Sequence, residues 1–270
     1  MSRADNQPAK WLADESVTRP ELERFFSGVG SRMAMTTAKA DVNLRELDQF
    51  FGGAERQMEQ TEKLDRKEAN GFNVFDLIKP DENKLSDVLK LLLDPKGGHG
   101  QGDLFLKLLF NQLGLGADAK LTKNATVLRE APTHGIEKYR RRMDVFVDAG
   151  VLLAIENKVD ATDQTDQVKD YLDHLQYCTK RNGKRTVLIY LTPNGRRPKN
   201  FEAADLIAAK ECGKLHCWGY HGELREWLES CRENCEARKI RDFITDFIAY
   251  IELELIRESQ REDGQTDYEK

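Results

Sequence analysis

Long apolar runs are missing from this chain. No stretch of its 270 residues approaches the ~20 apolar positions that a membrane-crossing helix needs, so no transmembrane segment is expected. An apolar leader is missing as well. The start, "MSRADNQPAKWLADESV", is polar, and a cytoplasmic location is expected. Cysteine is scarce and odd in number: Cys178, Cys212, Cys217, Cys231 and Cys235. An odd count without a leader argues for free thiols over a disulfide framework. The gaps inside 212/217 and 231/235 are wider than the usual two-residue zinc spacing, and Cys231 and Cys235 also fit i,i+4 on a helix. Excess positive charge is lacking. Lys and Arg total 42 against 47 Asp and Glu, a net charge of −5, which excludes a globally basic nucleic-acid binder but leaves local patches open. The glycine-rich "KGGHGQGD" lacks the GK[ST] ending of a nucleotide-binding loop. It reads as a tight connection between helices, with His99 solvated. Internal repeats and long low-complexity segments are absent too.

What remains is a patterned α/β chain. Residues 1–70 are polar and helix-leaning, with Leu44, Leu47, Phe50 and Phe51 ahead of a break at Gly52-Gly53. They are expected to form a helical N-terminal extension. A main domain is expected over 71–258, followed by a flexible tail over 259–270. In "PDENKLSDVLKLLLDP", Leu85, Val88, Leu89, Leu92 and Leu93 recur at helical spacing between Pro80 and Pro95. "LFLKLLFNQLG" reads as a second helix ending at Gly114. Strands are expected near 126–131, 141–148 and 151–159, then a helix with Val168, Tyr171, Leu172 and Leu175 on one face. "KRTVLIYLTP" reads as a buried central strand. A short strand near "KLHCWGY" and two more helices follow. The order predicts an α/β sandwich with helices on both faces of a mixed sheet.

One feature conflicts with burial. Within "RRMDVFVDAGVLLAIENKVDA", Asp144, Glu156 and Lys158 interrupt two adjacent apolar strands. Buried charges are costly unless paired or metal-bound. Side chains alternate along a strand, so Glu156 and Lys158 share a face. Asp144 joins them only in one of two hairpin registers. A two-residue loop, Ala149-Gly150, would pair Asp144 with Ile155 on the wrong face. A three-residue loop, Asp148-Ala149-Gly150, would pair it with Ala154, on the diagonal to Glu156. The second is expected, with Gly150 in the left-handed position. Two carboxylates and one ammonium on one face suit phosphodiester chemistry: magnesium takes oxygen ligands, and the ammonium can orient water and offset charge on phosphorus. By themselves Glu156 and Lys158 also fit an ordinary surface pair. Similarly, "KYRRR" (138–142), "KRNGKR" (180–185) and "RRPK" (196–199) fit either solvated surface or a phosphate grip. The first leads directly into the Asp144 strand.

"MD" at 143–144 followed by "IENK" at 155–158 resembles the D…(D/E)-x-K signature of the PD-(D/E)xK nuclease superfamily, with Met143 in the place of the usual Pro. "FNVFDLI", "ENKLSDVLKLLLDPKGGHGQGDLFLKLLF", "DQTDQVKDY" and "LTPNGRRP" extend the resemblance to one branch of it, over about residues 71–250. The chain departs from that branch at Leu85, where His is frequent. The resemblance implies a restriction-endonuclease-like α/β/α sandwich with a central mixed sheet. It implies a Mg2+- or Mn2+-dependent nuclease acting on nucleic acid, taken as DNA, in prokaryotic defence or DNA maintenance. A homo-oligomer or a defence-system partner protein is compatible with it, and a membrane is not. Asp144, Glu156, the Asn157 carbonyl and Glu82 would hold the metal. Lys158 would be the catalytic lysine, and Gln167 would line the site, with Gln164 able to share its face. Lys138, Arg140, Arg141 and Arg142 would grip nucleic acid. The alternative is a catalytically inactive nuclease fold that serves as a nucleic-acid-binding or assembly subunit.

Overall fold

The computed structural model describes residues 20, 23–27, 44–69, 71–133, 141–159, 164–199 and 203–255. Its contacts divide the chain into two units, Met1–Phe72 and Asn73–Lys270. In the first, helix α1 (Leu44–Glu68) runs unbroken through Gly52 and Gly53. The expected break is therefore absent. Two helical glycines cost ~1 kcal/mol each. The following "AERQMEQTEKLDRKE" supplies strong helix formers, and Glu59 and Lys63 pair at i,i+4, 3.8 Å apart. The expected flexible tail lies outside the described residues.

The second unit opens with a short helix α2 (Val74–Ile78), capped by the Asn73 side chain, which accepts from the Phe75 amide at 2.9 Å. Helix α3 (Glu82–Leu93) follows Pro80 and is capped by Asp81, which accepts from the Lys84 amide at 2.8 Å. Its Leu85, Val88, Leu89, Leu92 and Leu93 are buried. The glycine-rich connection to α4 (Leu104–Gln112) is folded and buries His99, contrary to the solvated His expected. The His99 ring spans the turn: Nδ1 accepts from the Gln101 amide at 3.0 Å, so Nε2 donates to the Asp94 carbonyl at 2.9 Å. A Cβ on Gly97 would lie 2.6 Å from the Leu91 carbonyl oxygen, which accounts for glycine there.

Five strands follow in spatial order β1-β2-β3-β4-β5: Thr126–Pro132, Arg142–Asp148, Val151–Asn157, Arg185–Thr192 and Leu215–Gly219. β1, β2 and β3 run antiparallel; β4 and β5 continue from β3 in parallel. Helix α5 (Gln167–Asn182) connects β3 to β4, and α6 (Ala203–Glu211) connects β4 to β5. Helices α7 (Arg225–Asn234) and α8 (Arg238–Tyr250) follow, and a π-helical turn over Ile251–Leu255 closes the described part. Every residue of β3 is buried, as a central strand with both faces covered must be. Val145, Val147, Leu153 and Ile155 face α3, α4, α7 and α8. Leu152, Ala154, Leu188 and Tyr190 face Val168, Tyr171 and Leu175 of α5. Among the described residues no helix is long and apolar enough to cross a membrane.

The hairpin register differs from both of those considered. β2 and β3 pair as Val145↔Ile155, Phe146↔Ala154, Val147↔Leu153 and Asp148↔Leu152. The turn is Ala149-Gly150-Val151, closed by the Ala149 amide donating to the Val151 carbonyl at 3.0 Å. Gly150 is not among the glycines with positive φ. Glycine fits there for another reason: a Cβ would lie 2.3 Å from Cδ1 of Leu121, which packs over the turn. Because the shift is two residues from the expected register, face parity is kept. Asp144 and Glu156 come one position beyond the last pair, opposite each other instead of diagonal.

Candidate active site

Where β2 and β3 stop pairing, their ends hold Asp144 and Glu156. Asp144 Oδ2 accepts from the Asn157 amide at 2.8 Å. The Asp144 carbonyl is held by Arg129 of β1. Arg129 also donates to Asp87 Oδ1 at 2.8 Å and to the Asn83 carbonyl at 3.2 Å, tying the first turns of α3 to β2.

Glu156 is 2% exposed. Its Oε1 lies 2.9 Å from Lys158 Nζ and also accepts from Gln167 Nε2. Its Oε2 is buried with no hydrogen-bond partner. Lys158 Nζ lies 3.6 Å from Glu82 Oε1, and Glu82 Oε2 accepts from the Val159 amide at 3.2 Å. Gln167 opens α5 after Asp166, whose φ is +59°. It donates onward to Tyr171 Oη at 3.1 Å, and Tyr171 donates to the Arg142 carbonyl at 2.7 Å. The fold thus gathers Glu82, Asp144, Glu156, Lys158 and Gln167 from α3, β2, the end of β3 and α5.

The electrostatics are those of an over-anionic site. Burial first, then the Asp144 charge, pushes the Glu156 carboxyl up to about 8, with Lys158 offsetting part. Burial raises Asp144 despite the Asn157 amide and the Lys158 and Arg129 charges. Burial raises Glu82 too, with Lys158 offsetting and Asp144 adding. Burial opposes the charge on Lys158, but Glu156, Glu82 and Asp144 outweigh it and raise its pKa. Lys158, with Arg129 acting on Asp144, still leaves all three acids raised, so a further cation is favoured here. The donor set fits a hard one: carboxylate oxygens, with Glu156 Oε2 left without a partner. Among the described residues no cluster of three or more His, Cys, Asp or Glu side chains is disposed as a metal cage. A cation between Asp144 and Glu156 would complete its shell with backbone carbonyl, water or phosphate oxygens, as magnesium does.

Residues 72–249 match the family model of the PD-(D/E)XK nuclease superfamily. The chain belongs to that superfamily. No curated protein and no solved structure matches it. The five-stranded mixed sheet between helical layers is the restriction-endonuclease-like architecture. Asp144, Glu156 and Lys158 all lie within the matched residues.

Other candidate residues are placed differently. Arg141 forms an ion pair with Asp170 and also donates to Gln164 Oε1 at 2.8 Å and to the Thr165 carbonyl. It clamps the start of α5 to β2 and is spent on that contact. The Gln164 side chain is engaged there and not with the Gln167 side chain, although its carbonyl accepts from the Gln167 amide at 3.3 Å. Arg142 is exposed and pairs with Glu130 at 2.7 Å. Lys138 and Arg140 lie outside the described residues. In the other basic clusters Lys184 pairs with Asp148, and the Arg196 guanidinium lies 5.7 Å from the Tyr190 ring centroid. A cavity of about 610 Å3 between α5 and α6, lined by Asp173, Lys180, Arg185 and Lys214 among others, includes none of Glu82, Asp144 and Glu156.

Arg129, Ser86, Tyr171 and Tyr220 belong to the site's surroundings; the sequence marks Tyr171 only as part of an apolar helix face and the others not at all. Tyr171 stands four residues after Gln167, a helical spacing that could have flagged it. Arg129 and Tyr220 meet the site only through tertiary contacts and carry no local signal.

Proposed function

We propose that this protein is a divalent-metal-dependent nuclease that hydrolyses phosphodiester bonds of nucleic acid, with DNA as the substrate and magnesium or manganese as the metal. The observation that carries the reading is the buried, partnerless Oε2 of Glu156 beside Asp144, with the Lys158 ammonium 2.9 Å from the other oxygen of the same carboxylate. Such an arrangement is costly for the fold alone and suits a site that binds a cation.

Asp144 and Glu156 would hold the metal, with the Asn157 carbonyl and Glu82, directly or through water. When bound, the metal supplies Lewis-acid polarisation of the phosphate and a lowered pKa for water. The chain's own side chains do the remaining work. Gln167 fixes Glu156 Oε1 and is itself anchored on Tyr171. Lys158 holds a charged ammonium at the face where phosphate arrives, orienting the attacking water and countering charge that builds on phosphate oxygens. Arg129 and the Asn157 amide hold the Asp144 backbone and carboxylate, so the carboxylate pair is formed before substrate binds.

The test is purified protein incubated with linear, circular and single-stranded DNA and with RNA, in magnesium, manganese or EDTA. Metal-dependent cleavage of DNA that is lost in Glu156→Gln is expected. No cleavage of any substrate under any metal would overturn the reading.

A further inference from the structure

We propose that Tyr220 is a positioning residue for the metal site, acting through the Asn157 side chain on Glu82 at the start of α3. The inference rests on the nuclease reading above and extends it to a residue that touches neither metal nor substrate.

Successive residues of a strand end point to opposite faces. Glu156 and Lys158 therefore face α5 and the carboxylates, while the Asn157 side chain enters the other layer. There it is fully buried and fully used. Its Oδ1 accepts from Tyr220 Oη at 2.8 Å. Its Nδ2 donates to Ser86 Oγ at 3.1 Å and to the Glu82 carbonyl at 3.1 Å. Ser86 Oγ in turn donates to the same Glu82 carbonyl at 2.9 Å. Tyr220, Asn157 and Ser86 are each 0% exposed. Every polar atom in this chain of contacts has a partner, which makes the set rigid and expensive to break.

One end of the chain is the residue whose carboxylate faces Lys158. The other end is set by β5. Tyr220 directly follows that strand, where the Gly219 amide donates to Glu223 Oε2 at 2.9 Å and Gly222 turns the backbone at φ −101°, ψ −109°. Gly219 itself packs against the Asn194–Gly195 turn so closely that a Cβ would lie 3.1 Å from the Gly195 nitrogen. The Tyr220 hydroxyl is thus delivered by the far edge of the sheet to the residue between Glu156 and Lys158. Burial raises the Tyr220 pKa, so the phenol remains a donor. Fixing the Asn157 amide orients its two N–H groups onto α3, and that fixes where Glu82 begins.

The experiment is a double-mutant cycle read by calorimetric Mn2+ and Mg2+ dissociation constants, with folding checked by circular dichroism. Tyr220→Phe keeps the ring and removes the donor. A loss of about tenfold in metal affinity is expected, the usual effect of removing an outer partner of a metal ligand. Glu82→Gln should weaken binding as well. Because Tyr220 acts through Glu82, the double variant should bind within about twofold of Glu82→Gln alone. Effects that multiply would mean that Tyr220 does not act through Glu82 and overturn the inference, as would unchanged affinity in Tyr220→Phe or in Glu82→Gln. If Tyr220→Phe does not fold, Ser86→Ala enters the same cycle with the same criterion. Wild-type protein that binds neither metal would sink this inference and the nuclease reading together, whereas wild-type binding with an unaltered Tyr220→Phe constant would sink the inference alone.

Discussion

Metal-free protein should lose stability as pH rises from 5 to 8, and Glu156 should be the cause. Its folded carboxyl is raised from 4.5 to about 8, so between those values the folded state holds a proton that the unfolded state has released. Stability is then greatest below the unfolded value and is lost as pH climbs through the folded one. A span of about 3.5 units at about 1.4 kcal/mol per unit bounds the loss at about 5 kcal/mol. Asp144 shares its proton uptake with Glu156, and the pair carries the effect jointly, so a net fall on the order of 3 kcal/mol is expected. With a urea slope of ~2 kcal/mol/M, that is a drop of roughly 1.5 M in the unfolding midpoint. His216, whose pKa is lowered by burial, works in the opposite direction, since its folded state sheds a proton early. Comparing wild type with Glu156→Gln cancels that contribution. The assay is urea unfolding followed by circular dichroism in EDTA, at half-unit pH steps, for both proteins. Wild type should fall relative to the variant across the window. Equal slopes in the two proteins would refute the reasoning, because the strain would then not reside in this carboxylate.

Other perturbations separate the roles of neighbouring groups. In 10 mM magnesium the melting temperature of wild type should rise, because the ion binds only the folded state, and Glu156→Gln should lose most of that rise; an equal rise would place the ion elsewhere. Lys158→Ala should retain metal binding while single-turnover cleavage falls by ~10²–10³ or more, since an ammonium has no lone pair for a metal but counters phosphate charge; wild-type rates would remove Lys158 from the mechanism. Arg141→Ala should lower stability by ~1–3 kcal/mol through loss of its largely buried pair with Asp170, leaving the salt dependence of DNA binding unchanged; a shallower salt slope would make Arg141 a phosphate contact instead. Gly97→Ala should cost ~1–3 kcal/mol in urea unfolding, because its Cβ meets the Leu91 carbonyl; a neutral outcome would mean that the loop relaxes freely.

The parts of the molecule legible in sequence are those written in local pattern. The stripe Leu85, Val88, Leu89, Leu92 and Leu93 marks α3, and the apolar run at 185–192 marks β4 as interior. Glu156 and Lys158 stood out because charge in such a run needs a reason. The hairpin was harder. Register depends on how the turn packs, and Gly150 answers to Leu121, over it from a distant segment, and not to its own φ. Helix α6 went unseen because "AADLIAAKE" shows little segregation of apolar and polar residues. The basic run before Asp144 illustrates a different limit: composition marks Arg141 as a cation, but only the fold shows that Asp170 takes it. Tyr220 lies 63 positions from Asn157, and no spacing rule connects them.

The central position of β3 has a consequence for the time at which activity can arise. Synthesis delivers a chain from its N-terminus, and the β2–β3 hairpin is local enough to close within microseconds. By the time Lys158 has emerged, every proposed metal-binding residue exists. The strand that carries them then has only α3 and α4 against one face, and nothing against the other. Its parallel neighbour β4 comes after α5, and one buried layer is completed only by Trp227, Ile244 and Phe247. Tyr220, which meets Asn157, is also still to come. On the proposed nuclease function, a ribosome-bound fragment ending shortly after Lys158 would therefore carry all the proposed metal ligands and be inert, and activity would wait until the last helices have packed.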